Sequence, residues 1–126
     1  MIKALRKGEA VGLLPDQVPP QGQGQWAPFF GKDAYTMTLA ARLALQTGAS
    51  VILARCERLP AGRGYELFFE ALPMQLSAQL EDAVVQLNQA MEHTIQQCPT
   101  QYLWGYGRYK QPRQEAAVSA SEGGTA

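Results

Sequence analysis

The chain has 126 residues and 46% hydrophobic content, which suits a single globular core. Eleven basic and eleven acidic residues give zero net charge, so no field draws it to nucleic acid, and no DNA- or RNA-binding motif is present. Cys56 and Cys98 lack metal-ligand spacing, and no apolar run reaches the roughly 18 residues of a membrane span.

The opening MIKALRKGEA reads as the end of a basic amphipathic helix over residues 2–8, closed by Gly8. No h-region of a secretory signal follows it, so a reducing compartment is expected for the two thiols. Ala10–Leu14 is a short continuous apolar run, the pattern of a strand covered on both faces. A connection through Pro15, Asp16 and Gln17 then crosses a Pro/Gly/Gln-rich stretch to Trp26, Phe29, Phe30 and Gly31. A loop that long in a compact domain is functional or a linker, and three large aromatics argue against a linker.

Asp33 can cap a helix running to Thr47, with Gly48 in the C-terminal capping position. Ser50–Arg55 is a second apolar strand, so strand, helix and strand predict a parallel βαβ unit. Pro60, Gly62 and Gly64 mark a turn into Tyr65–Leu72. That segment sets Glu66 and Glu70 against Leu67, Phe69 and Ala71, as in a half-buried strand of an antiparallel hairpin. Ser77 is a candidate cap for a helix through Gln97, whose Leu80, Val84, Leu87, Met91 and Ile95 form one apolar stripe ending at Pro99. Residues 1–113 thus form one domain, a partial α/β sheet that is mixed but mainly parallel, with flanking helices. The small and polar residues 114–126 are expected to be a disordered tail.

Ligands of open α/β sheets bind beyond the carboxyl ends of parallel strands, which places Asp16 and Gln17 with Glu57 and Arg58 at one edge. Asp16 there could hold a sugar hydroxyl, orient a basic partner, or simply brace the turn after Pro15. Gly31 and Lys32, at the start of the expected helix, offer backbone donors and a charge to a phosphate or oxyanion, although Asp33 cancels part of that field. Arg58 and Arg63 flank the hairpin turn and could bind a phosphorylated sugar, or be ordinary exposed arginines. Arg42 lies with Thr38 and Gln46 on a solvent-facing seam. Trp26, Phe29 and Phe30 could line an apolar channel, touch the bilayer interface, or be core. Tyr102, Trp104, Tyr106 and Tyr109, interleaved with Arg108, Lys110 and Arg113, fit an aromatic-basic interfacial belt or core packing equally. His93, the single histidine, is expected on the surface.

LPDQ, W-A-P-F-F-G, the loose T-x-x-x-A-x-x-A of Thr36–Leu43, TGASVILARCERLPAGRGYELFFEALP, N-x-x-M-E-x-x-I-x-x-x-P-x-Q-Y-L-W (Asn88–Trp104) and R-Y-K-x-P (Arg108–Pro112) follow one another along the chain. Together they resemble the bacterial lipid A biosynthesis acyltransferases, lauroyl and myristoyl transferases of the lysophospholipid acyltransferase superfamily. The resemblance implies a glycerolipid-acyltransferase-like fold and transfer of an acyl group from acyl carrier protein to a lipid A precursor, in lipopolysaccharide biosynthesis. It implies peripheral contact with the cytoplasmic face of the bacterial inner membrane, and no cofactor or metal. Asp16, Gln17, Gly31, Lys32, Arg58 and Arg108 become substrate-binding candidates. Trp26, Phe29, Phe30 and Trp104 become acyl-chain or membrane contacts.

One departure matters. The family's catalytic motif is a His followed five positions later by an acidic residue, upstream of LPDQ. Here the residue five beyond His93 is Cys98. The chain therefore resembles the C-terminal portion of such an enzyme, without its general base, and no catalytic residue is assigned within it. The alternatives are a non-enzymatic α/β module that docks on a membrane or a partner acyltransferase, and a truncated product that misfolds.

Overall fold

A computed structural model describes residues 1–114. It contains α1 (Ile2–Arg6), β1 (Gly24–Phe29), β2 (Lys32–Met37), α2 (Leu39–Thr47), β3 (Ile52–Arg58), β4 (Tyr65–Ala71) and α3 (Leu80–Gln97), with 3-10 turns at Pro60–Gly62 and Pro99–Gln101. Among the described residues the strands form two antiparallel pairs, β1 with β2 and β3 with β4.

The helix α3 holds these parts together. Its spacing of apolar side chains presents one stripe to β1, α2 and β3. Its first half packs Ala83, Val84 and Leu87 against Ala27 of β1 and Ala41 of α2. Its second half sets Ile95 and Met91 against Phe29, Ala34, Phe30, Tyr102 and Tyr109. Glu81 and Asp82 occupy the first turn, where carboxylates complement the positive end of the helix dipole. Pro99 cannot continue the ladder, and the helix ends before it. At the end of α2, Gly48 takes the left-handed conformation, and its N–H returns to the carbonyl of Ala44 at 2.8 Å.

The β3–β4 hairpin, its antiparallel sense and the long helix agree with the sequence reading, as do the turn at 60–64 and the stop at Pro99. The parallel βαβ unit does not form. Ala10–Leu14 pairs with no strand among the described residues, so the mainly parallel sheet is replaced by two hairpins. The helix expected from Asp33 begins only at Leu39, because Asp33 lies in β2 opposite Pro28. Ser77 also falls short of capping α3: its Oγ accepts from Gln79 N–H at 3.1 Å, and the helix starts at Leu80.

The amphipathicity of the second hairpin is inverted relative to expectation. Leu67 and Phe69 of β4 are 63% and 68% exposed, and their opposite neighbours Cys56 and Ala54 are exposed as well. The face turned toward α3 carries Leu53 but also Arg55 and Glu57, which pair with each other, the guanidinium lying 3.7 Å from the Phe68 ring centre. From residue 115 onward, the expected disordered tail lies outside the described residues.

Candidate functional site

The segment that the sequence marks as a loop is a β-hairpin over residues 24–37. Phe30 and Gly31 form its two-residue turn with φ of 49° and 75°, the paired positive values that let a tight turn follow the twist of the strands. Gly31 therefore opens no helix, and its expected role as a helix-start anion donor is corrected. The adjacent donor is also occupied, since Phe30 N–H donates to the Glu92 carboxylate at 2.6 Å. Lys32 is exposed and lies over the Tyr109 ring, 4.8 Å from its centre.

Arg108 reaches back into this hairpin and is only 4% exposed. One terminal nitrogen donates to the Tyr35 carbonyl at 2.8 Å and the other to Thr36 Oγ1 at 2.9 Å. Thr36 Oγ1 also receives the Asn88 amide at 3.1 Å and donates to the Ala34 carbonyl at 3.0 Å. Asn88 further donates to the Pro28 carbonyl at 3.1 Å, so one buried polar knot joins β1, β2, α3 and residue 108. The guanidinium lies 5.0 Å from the centre of the Phe29 ring, an added cation–π attraction. Arg108, expected among the substrate-binding residues, is thus held inside the fold by its contacts to the first hairpin.

The same C-terminal segment grips the loop of Asp16. Tyr102 donates its hydroxyl to Asp16 Oδ2 at 2.9 Å. Tyr106 accepts from Val18 N–H at 2.8 Å, and Tyr109 donates to the Phe29 carbonyl at 2.5 Å. Burial first, then the hydrogen bond to Asp16 and that carboxylate's charge, hold the Tyr102 phenol well above its ordinary value. Burial lowers the Arg108 value, while nearby Tyr102 and Asp16 favour its charged form. Burial also raises Tyr109. At neutral pH the arrangement is a neutral phenol donating to a carboxylate, with a guanidinium close behind.

The candidates therefore divide. Asp16, Arg108, Phe29, Phe30, Lys32 and Trp104 belong to one contiguous region around the tip of the first hairpin and the 99–110 segment. Gln17 is exposed beside Asp16. Trp104 is 56% exposed and stacks near Phe30, with ring centres 5.7 Å apart. Phe29 is 2% exposed and packs in the core, so it offers no surface to a bilayer. Trp26 stands apart, half exposed against Tyr35 at 5.3 Å. Arg58 ends β3 exposed, and its backbone N–H and carbonyl are bound by the Gln101 side chain. His93 is exposed on α3. Sequence reasoning missed Thr36 and Asn88; the latter was legible as an amide next to the apolar stripe of a helix.

The geometry is that of a loop after an apolar segment, braced by tyrosines around an acidic side chain and bordered by aromatic and basic groups. The profile of the family described as bacterial lipid A biosynthesis acyltransferase matches residues 1–111, and the chain belongs to that family. It is 36% identical over 114 residues to a lipid A biosynthesis lauroyltransferase of Escherichia coli K12, covering 87% of this chain and 37% of that protein. A lipid A biosynthesis palmitoleoyltransferase of the same strain and a lipid A biosynthesis acyltransferase of Shigella flexneri are each 31% identical over 111 residues, covering 87% of this chain and 36% of theirs. The chain thus spans little more than a third of the length of these curated relatives.

Proposed function

We propose that this chain supplies one wall of the acyl-transfer site of a lipid A biosynthesis acyltransferase, as its C-terminal portion, and that the general base comes from the remaining portion. The observation that carries this reading is the bracing of Asp16 by Tyr102 and of Val18 by Tyr106, with Arg108 anchored behind them. The first two contacts tie the loop of Asp16 to the segment 102–106, and Arg108 ties the same C-terminal stretch to the first hairpin. A carboxylate held by one oxygen keeps acceptor capacity on the other, which suits a substrate hydroxyl. Lys32, Arg58 and Gln17 are exposed and free to meet polar substrate groups.

The donor in this reading is acyl carrier protein, the acceptor a lipid A precursor, and the place of work the cytoplasmic face of the inner membrane. No helix of the described residues is long and apolar enough to cross a membrane. Contact through Trp104, Leu103 and Phe30 would be peripheral, the first two being 56% and 73% exposed. Acyl transfer needs a base to deprotonate the hydroxyl and donors to hold the oxyanion. His93 is exposed on α3 and followed by Cys98 where the family motif needs an acidic residue, so it is not taken as that base.

Acyl transfer from acyl carrier protein to a lipid A precursor should be absent from the purified 126-residue protein. It should appear when the missing portion is supplied from an E. coli relative. In that restored enzyme, Asp16→Ala should reduce the rate far more than Arg63→Ala. Transfer by the chain alone, or equal near-wild-type rates for both variants, would refute the proposal.

A further inference from the structure

Backbone groups inside a fold must find partners, so the course of each strand edge can be followed residue by residue. On β3, Val51 O accepts from Leu72 N–H, and Leu59 N–H donates to Gly64 O. In an antiparallel pair the bonded residues alternate, so 51, 53, 55, 57 and 59 face β4. Ile52, Ala54, Cys56 and Arg58 must therefore direct their N–H and C=O groups to the opposite edge. At Arg58 that edge is closed, because Gln101 Oε1 accepts its N–H at 2.7 Å and Gln101 Nε2 donates to its carbonyl at 3.1 Å. The side-chain amide acts there as a strand would. At Ile52, Ala54 and Cys56 no such partner exists among the described residues.

Across from this edge runs the segment 10–14, which among the described residues is paired with no strand. Between the two lies an open groove of about 420 Å³, with Val11 and Leu13 on one side, Val51 and Ala54 on the other, and Leu87 and Met91 among its lining. It is followed along β3 by a second hollow of about 190 Å³ between Cys56, Ile95 and Tyr102. The two hollows share Ala54 and Met91 along the unpaired edge of β3; Asp16 lines the first, and Tyr102 and Gln101 line the second.

We infer that this groove is a slot for one additional β-strand, supplied by the part of the acyltransferase polypeptide beyond the third that this chain spans. The inference rests on the proposed function for the source of the strand. Its chemistry follows from the walls. One face of the strand would lie over Leu87 and Met91. The other would continue the exposed sheet face of Ile52, Ala54, Leu67 and Phe69. A strand apolar on both faces fits, as in sheets covered on both sides. An acyl chain would fill the same volume but would leave the N–H groups of Ile52, Ala54 and Cys56 without acceptors.

The test is amide hydrogen exchange on the full 126-residue chain, co-expressed with the segments of the E. coli lauroyltransferase that lie outside its match. Protection of alternate amides among 52, 54 and 56 should rise by about tenfold or more, with 53, 55 and 57 already protected by β4. Ala54→Pro removes one outward donor and leaves the β4 ladder intact, so it should abolish co-purification while far-ultraviolet circular dichroism is retained. If that variant unfolds, the alternating protection pattern on the unaltered chain decides alone. Absent binding, uniform protection, the same pattern in the chain alone at high concentration, or a change produced only by lauric acid would each overturn the slot. Acyl transfer without alternating protection would sink the slot and leave the function standing; protection without transfer would do the reverse.

Discussion

Replacing Arg108 with methionine should be among the most damaging single changes in this chain. The substitution keeps the length of the side chain and its apolar packing over Phe29, but deletes the donors to the Tyr35 carbonyl and to Thr36 Oγ1. Hydrogen bonds from a charged donor contribute about 1.5–3 kcal/mol each, and the Tyr35 carbonyl would be left buried without this partner. Against this, removing a buried guanidinium relieves part of its desolvation cost, whose signature is the lowered Arg108 value. The balance is a loss of about 3 kcal/mol, a large share of the roughly 5–15 kcal/mol that holds a domain folded. In urea, with a slope of about 1.5 kcal/mol per M, the midpoint should fall by about 2 M. Arg108→Lys should recover only part, since a single ammonium cannot span both acceptors as the planar fork does. A midpoint shift below about 0.5 M for Arg108→Met, with unchanged slope, would refute the claim that this residue anchors the hairpin.

Tyr102→Phe should cost about 1–2 kcal/mol through loss of one hydrogen bond to a carboxylate, measured by the same unfolding curve. Because the folded Tyr102 phenol lies above its unfolded value, the folded state binds the proton more tightly. Its stabilisation is complete below about pH 10 and declines as pH rises toward the folded value. Tyr102→Phe should therefore flatten the alkaline limb of a stability-against-pH curve, leaving the smaller contribution of Tyr109. Gly31→Val should destabilise by about 1–2 kcal/mol through its positive φ alone, since no atom lies within 4 Å of an added Cβ, whereas Gly31→Asn should be nearly neutral. Gly24→Ala should be worse than Gly31→Asn, because a Cβ there would come within 2.6 Å of the Thr36 carbonyl oxygen. The chain alone should bind a hydrophobic dye or self-associate through the exposed face of Leu67 and Phe69; a compact monomer with no dye signal would contradict this.

What was legible in the sequence was whatever local periodicity determines. The stripe from Leu80 to Ile95 specifies α3 because its helix face has a core to meet, and Pro60 with Gly62 and Gly64 specifies the turn of the second hairpin. The first hairpin was hidden for a chemical reason. Pro28 sits inside β1 and ordinarily demotes a strand, while the turn is Phe30-Gly31 in place of the common Asn-Gly. Ala10–Leu14 has the composition of a covered strand, yet strand structure is a property of pairs, and no described segment pairs with it. Among the candidate site residues, Asp16, Arg108 and the aromatics were visible as residue types. Their roles depended on contacts over 70 or more positions, such as Arg108 to Thr36 and Tyr102 to Asp16, which no spacing within the sequence encodes.

Those long-range contacts also impose an order in time. The PDQ loop carries Asp16, but the hydroxyls that fix it belong to Tyr102 and Tyr106, 86 and 88 positions later. During synthesis the loop must wait, unfastened, while both hairpins and α3 are made, since nothing earlier in the described chain offers it a bond. The segment 102–110 has little backbone ladder of its own and closes over the fold like a clasp, by side chains alone. A chain released before residue 102 would therefore hold both hairpins and α3 while the loop of Asp16 lacked its bonds. The clasp then fastens the loop of Asp16 to that scaffold.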